Sequence, residues 1–308
     1  MESGLDLMAF STRYTRETKR ADIRESAHWS RTLISIAVTF VAMATISFLL
    51  RLWSRQKTKW KLALEDVLMG VGLVFSYLLS ACVIIAACNG VGYNIWALPR
   101  QTQGRVGLVF WLGQKFWVLS HVFVKLSIIL LIRRLLYIAG NWQKVTSGLI
   151  LFTIAWGITT IVGNALQCLP PRYFWERNID GHCPDNQEAF AITMGSMALA
   201  EDVFLLVIPI MVVWQLKLVR TEKIRITILF MFGGVVCIFG ILRVIELIHY
   251  QAENLTASGA FEVTWAVIEI NLGIVCGCVV LMRPLLHSFV TFLKRYLSRG
   301  KEPLNSDC

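Results

Sequence analysis

Asp202, Glu269 and His121 are the residues of this sequence best suited to move a proton, because each sits inside a long apolar run where water is scarce. An acid kept dry holds its proton and can act as a general acid, whereas the same acid beside a lysine stays ionised. Around them, Lys115, Lys125, Glu201, Arg243 and Glu246 are further charged groups in apolar runs, and they are candidates for holding a bound molecule. An acid at the centre of a membrane helix opposes insertion by about 2.5–3.5 kcal/mol, so it normally faces a bundle interior and finds a partner. The alternative reading is structural: Arg243 and Glu246, three apart, pair within their helix and with Glu269, while Asp202 pairs with Lys125 or His121. Pro209, about two turns past Asp202, is expected to bend its helix and free the carbonyl of Leu205.

The elements that must position these groups are membrane spans. The chain has 308 residues, 56% hydrophobic and 16% charged, with a net charge of +10. Apolar runs long enough to cross a bilayer lie near 32–53, 66–88, 106–132, 145–167, 189–214, 225–248 and 263–282. The expected fold is all-α, a seven-transmembrane helix bundle with a short C-terminal interfacial helix. Residues 1–31 read as a polar tail, 32–282 as the bundle and 283–308 as an amphipathic basic tail. Bases concentrate in the odd loops (Arg51, Arg55, Lys57, Lys59, Lys61; Arg133, Arg134, Lys144; Lys217, Arg220, Lys223) and in the tail, which places these on the cytoplasmic side and the N-terminus in the lumen or outside.

The same orientation puts Cys168 and Cys183 in the fourth loop on the oxidising side, where a bridge is the favoured reading and two free thiols the alternative. It also puts Asn254, in an acceptor sequon with Leu255 and Thr256, where glycosylation occurs. Trp29, Trp53, Trp60, Trp96, Trp142, Trp214 and Trp265 fall near span ends, as an interface belt requires. Gly273 and Gly277 would let the seventh helix approach a neighbour closely.

Several chemistries are disfavoured. The seventh run has no lysine for a retinal Schiff base, and the five histidines are too dispersed for a bundle metal centre, so no metal and no cofactor is expected. Phosphate-binding glycine loops and nucleophile elbows are absent, and bases interleaved with aromatics do not occur, which sets nucleic acid aside. No repeated halves mark a transporter.

Taken together, Cys168-Leu169-Pro170 with Trp175 and Gly181-His182-Cys183, Asp202 with Pro209 and Trp214-Gln215-Leu216, Lys223-Ile224, and Trp265 with Glu269, Gly273 and Arg283-Pro284-Leu285 resemble the fungal rhodopsin-like integral membrane proteins. That family includes the satratoxin-cluster type and is related to the Pth-type receptor-like proteins. The resemblance runs from about residue 33 to 297 and implies a seven-helix fungal membrane protein, often encoded beside secondary-metabolite genes. It matches Glu65-Asp66 to the acidic pair opening the second span, Lys125-Leu126-Ser127 to a step in the third, and Asp202 and Glu269 to the buried acids. It departs at Gly90-Val91-Gly92-Tyr93-Asn94-Ile95-Trp96, where Asn94 replaces a histidine and cannot titrate.

Two functions follow as expectations. The first is a membrane protein of secondary-metabolite biosynthesis whose pocket holds a lipophilic small molecule, with Asp202 or Glu269 as acid and His121 as base in a cofactor-free cyclisation or isomerisation. The second is a receptor sensing an external ligand through a G protein, although the third span ends in Ile132-Arg133-Arg134 without an Asp-Arg-Tyr step. Partners are the lipid bilayer and either pathway enzymes or that G protein, in the endoplasmic reticulum or plasma membrane.

Overall fold

The computed structural model describes the backbone of residues 2–57, 63–89, 99–135, 142–176, 178–184, 186–215, 220–248 and 255–279. Seven α-helices occupy these segments: α1 Glu2–Lys57, α2 Leu64–Cys88, α3 Arg100–Leu135, α4 Trp142–Ala165, α5 Gln187–Gln215, α6 Arg220–Ile248 and α7 Leu255–Val279. A short 3-10 helix, Pro171–Phe174, lies between α4 and α5. Helices are what long apolar sequences must form in lipid, because every backbone donor and acceptor is then satisfied inside its own segment. Among the described residues, six stretches are long and apolar enough to span, including Ser30–Lys57 of α1 and Arg100–Arg134 of α3.

Each of the seven apolar runs has its own helix, the fourth run passing the end of α4 by two residues and 280–282 of the seventh lying outside the described residues. The helical backbone of α1 continues back through the polar segment to Glu2, and α5 passes Pro209 without interruption to Gln215. In a bundle, neighbouring helices can satisfy the backbone groups that a proline frees. α7 starts at Leu255, eight residues before its apolar run, and its apolar span begins at Phe261, so Trp265 lies four residues inside the span. Its ring packs on Phe239 with centroids 5.6 Å apart. Trp53 is a better belt residue, half exposed near the end of α1 with Lys57 over its ring. The C-terminal interfacial helix, Asn254, the segment 90–96 and the Arg283-Pro284 step lie outside the described residues.

Apolar side chains face both the outside and the interior of the bundle. Leu151, Ile158, Phe204, Ile238 and Ile248 face outward, where lipid tails meet them, while Trp117, Trp156, Met69, Ile270 and Ile274 form the central cluster. α3 is central, touching α2, α4 and α7. Close helix approach rests on small residues. A Cβ on Gly72 would stand 2.7 Å from Val124 Cγ2, and one on Gly277 would stand 2.5 Å from Met69 Cε. Gly277 thus acts as the sequence predicts, whereas a Cβ on Gly273 would meet Val124 at an ordinary 3.8 Å.

The α4–α5 connection folds over one end of the bundle. Cys168 and Cys183 are joined by a disulfide, and beside it Leu169 and His182 exchange backbone hydrogen bonds of 2.9 and 3.1 Å. The loop lays Trp175 onto α3: its ring centroid is 5.3 Å from that of Trp111, and a Cβ on Gly107 would lie 3.2 Å from its Cα. Phe174 is thereby held over the helix ends.

Candidate functional site

Beneath that loop is a cavity of about 120 Å³. All seven helices contribute to its wall, through residues such as Leu33, Val83, Gln114, Trp117, Asn164, Phe190, Met194, Arg243 and Glu262, and Phe174 closes over it. Most of the lining is apolar, with a few polar groups converging from several elements, which is how small-molecule sites are built. At its polar floor Arg243 stacks on Trp117, with the guanidinium carbon 3.7 Å from the ring centroid.

Arg243 leads downward into the protein. Its Nη1 donates to Glu269 Oε2 at 3.1 Å and its Nε to Glu262 Oε1 at 3.3 Å. The two acids are seven residues apart on α7, two turns on one face, so one guanidinium on α6 meets both. His121 Nε2 stands 3.6 Å from the same Glu269 oxygen, and its ring packs edge-on to Trp117 and Trp156. Trp156 is itself fixed by a 3.0 Å hydrogen bond from its indole nitrogen to the carbonyl of Met194.

One turn further along α3, Lys125 is completely enclosed. Its ammonium lies 3.2 Å from Glu201, 3.1 Å from Asp202 and 2.8 Å from the carbonyl of Ala198. Thr153 of α4 donates to the other oxygen of Glu201. Two donor groups, the Lys125 ammonium and the Thr153 hydroxyl, thus hold a doubly acidic step of α5 against α3 and α4, satisfying charges that would otherwise oppose insertion.

A further charged layer closes the opposite end. Arg51 Nε meets Asp66 at 2.9 Å, and Arg55 meets Glu65 at 2.8 Å and Asp66 at 2.9 Å. Arg134 reaches Glu65 at 2.9 Å, and Arg51 also donates to the carbonyl of Gly277 at 3.0 Å. Arg51 is fully buried. The layer joins α1, α2, α3 and α7. Between it and the core, Ser120 donates to the carbonyl of Gly72 at 2.8 Å, and Ser76 donates to Asn271 at 3.0 Å.

The residues singled out from the sequence therefore divide by depth. Arg243 alone lines the cavity; Glu269 and His121 stand behind it, and Lys125, Glu201 and Asp202 lie deeper. Asp202 pairs with Lys125, one of the two partners expected for it. Lys115 is outside the cavity wall, donating to the carbonyl of Asn164 at 2.7 Å with its ammonium 3.9 Å from the Trp111 ring centroid. Glu246 is half-buried and also outside the wall. The expected Arg243–Glu246 pair gives way to Arg243 with Glu262 and Glu269, because two α7 carboxylates two turns apart on one face give the guanidinium two acceptors where a neighbour on the same helix gives one.

Glu262 and the Arg51–Arg55–Glu65–Asp66 layer were missed as site residues. The seven-residue step from Glu262 to Glu269 was a usable signal. So was the pairing of two bases at the end of one span with two acids at the start of the next across a short connection. Among the described residues no three His, Cys, Asp or Glu side chains come together as a metal ion would need.

Comparison with known proteins agrees with this architecture. The model of the fungal rhodopsin domain matches residues 50–288. The chain is 27% identical to the receptor GIN3 of Arthrobotrys oligospora over 82% of its own length and 62% of that protein. It is 23% identical to satratoxin biosynthesis SC1 cluster protein 4 of Stachybotrys chartarum over 55% of its length and 62% of the relative's. To fugralins biosynthesis cluster protein 2 of Gibberella zeae it is 22% identical over 88% of its length and 70% of the relative's. The chain thus spans less than two thirds of the first two of these relatives. The match to the domain model covers most of the sequence, and the chain belongs to the fungal rhodopsin domain family of membrane proteins.

Proposed function

We propose that this protein is a receptor-like sensor that binds a lipophilic small molecule in the cavity under the disulfide loop and passes that event through the bundle to its opposite end. The observation that carries this reading is the double role of Arg243, which is both cavity wall and the first partner of a buried charge series. A molecule that displaces or tightens Arg243 changes the compensation of Glu269 and, through it, of His121. Ion pairs enclosed in a bundle have discrete arrangements, which is what a two-state element requires. The basic loops expected on the cytoplasmic side would then meet a G protein or another effector. The similarity to the receptor GIN3 supports the reading.

A second reading is favoured by the relatives whose names place them in biosynthesis clusters. In it the same cavity holds an intermediate of secondary metabolism, and Asp202 or Glu269 with His121 carries out acid–base cyclisation or isomerisation. That chemistry needs a proton carrier in contact with the cavity; all three residues stand behind its wall in ion-paired positions, and the acid that does line it, Glu262, is held by Arg243. The site-residue geometry therefore supports sensing more than turnover.

The two readings separate in a strain lacking the gene. Sensing predicts a lost transcriptional response to externally supplied apolar compounds with an unchanged metabolite profile. Accumulation of an intermediate with the response intact would replace sensing by the biosynthetic role.

A further inference from the structure

Among the described residues, Arg243 is the one cation of the cavity wall and Glu262 the one acid. The charges do not balance. Arg243 serves Glu269 as well as Glu262, so one guanidinium faces two carboxylates. Behind it, Lys125 serves both Glu201 and Asp202. Two cations thus face four acids, a net charge of −2 when all six are ionised. His121, 3.6 Å from Glu269, is the remaining base of the series and supplies one positive charge at most. One acid is left over.

A carboxylate short of a cation is costly inside a bundle, and it draws one in where one can reach. Glu262 is the acid within reach. Its side chain is 22% exposed, against 13% for Asp202 and 1% or less for Glu201 and Glu269. Arg243 donates to its Oε1 at 3.3 Å, and among the described residues its Oε2 has no donor. Lys115, the next cation, is turned to the carbonyl of Asn164 and the ring of Trp111. The wall beside Glu262 is aromatic. Gly259 precedes Glu262 by three residues on α7, so the two share a face about 4.5 Å apart along the axis. A Cβ on Gly259 would lie 3.0 Å from Phe110 Cε1, which seats that ring, itself part of the wall, against this turn. A carboxylate with an aromatic ring at hand is the chemistry that holds an ammonium. A carboxylate head group would meet Glu262 as a like charge, and a neutral one leaves the excess acid as it was.

We propose that the cavity takes an apolar molecule bearing a protonated amine, whose ammonium pairs with Glu262 beside the Phe110 ring while its body packs on Val83, Phe190 and Met194. This rests on the cavity being a ligand site, and it names the ligand class. The cavity, about 120 Å³, suits a single-ring body, since apolar cavities of comparable size hold benzene.

The test uses the full-length protein in nanodiscs of zwitterionic phosphatidylcholine, whose surface carries no net charge to attract an amine. Three probes share one body: cyclohexylamine, cyclohexanol and cyclohexanecarboxylate. Binding is read by saturation-transfer NMR against empty nanodiscs at neutral pH, where the amine is cationic and the carboxylate anionic. The amine is expected to bind roughly tenfold or more tightly than the alcohol, the value of one charge-assisted hydrogen bond, with the carboxylate weakest. Glu262→Gln, which keeps the shape and removes the charge, should bring the amine down to the alcohol. Alcohol binding as tightly as the amine to the wild type would show that Glu262 is already compensated, and it overturns the proposal. So do a tightest-binding carboxylate, which would make Arg243 the anchor, binding of none of the three, and an amine preference that persists in Glu262→Gln. The wild-type series decides the ligand class without any variant. The sensing reading fails separately, through an intact cellular response in the deletion strain.

Discussion

Arg243 Nη1 lies 3.1 Å from Glu269 Oε2, and both residues are buried in the bundle between α6 and α7. The guanidinium is at once the polar floor of the cavity, a cap over the Trp117 ring and the counter-ion of two carboxylates. Removing it strands two acids in an apolar interior. Arg243→Gln is therefore expected to destabilise the bundle by about 3–5 kcal/mol, and Glu269→Gln in the same background should recover part of the loss. Thermal unfolding of the two single variants and the double variant in one detergent measures the coupling. Simple additivity would mean that the pair contributes little.

The Lys125 cluster makes an asymmetric prediction. Lys125→Met leaves Glu201 and Asp202 uncompensated, whereas Asp202→Asn leaves Lys125 paired with Glu201. The lysine variant should be the less stable of the two by about 2 kcal/mol or more, with lower yield in the membrane fraction. Comparable unfolding temperatures for both would show that the second acid, and not the shared cation, fixes the α3–α5 contact.

Helix approach gives a test independent of charge. An added methyl at Gly72 meets Val124 Cγ2 at 2.7 Å and, behind it, the Val124 backbone nitrogen at 3.3 Å, so there is little room to yield. At Gly277 the nearest atom is the flexible end of Met69. Gly72→Ala should cost about 1–3 kcal/mol and Gly277→Ala clearly less. The reverse order in thermal unfolding would relocate the tight α2–α3 contact.

The disulfide holds the loop that supplies Phe174 and Gln167 to the cavity. With its cysteines 15 positions apart, losing it should lower stability by about 3 kcal/mol. The Cys168→Ser/Cys183→Ser variant should also bind cavity probes more weakly than the wild type. Unchanged probe affinity would separate the loop from the site.

The seven spans were legible because bilayer thickness imposes a length that apolar runs display directly, and the Cys168–Cys183 bridge followed from two cysteines in one loop. Partner choice was not. Whether Arg243 takes Glu246 or Glu262 depends on how α6 and α7 rotate against each other, and a single sequence does not encode that rotation. Arg51 and Arg55 read as solvated loop bases because their charge marks the cytoplasmic side; their burial depends on Glu65 and Asp66 arriving from α2.

The most direct measurement compares strains producing the wild type, Arg243→Gln and Arg51→Gln at matched membrane abundance, scored for the transcriptional response to an external apolar compound. Arg243 is at the cavity and Arg51 is in the layer at the opposite end. Coupling through the bundle predicts that both variants lose the response while metabolite profiles stay unchanged. An intact response in Arg51→Gln, or an accumulating intermediate in either variant, would contradict it.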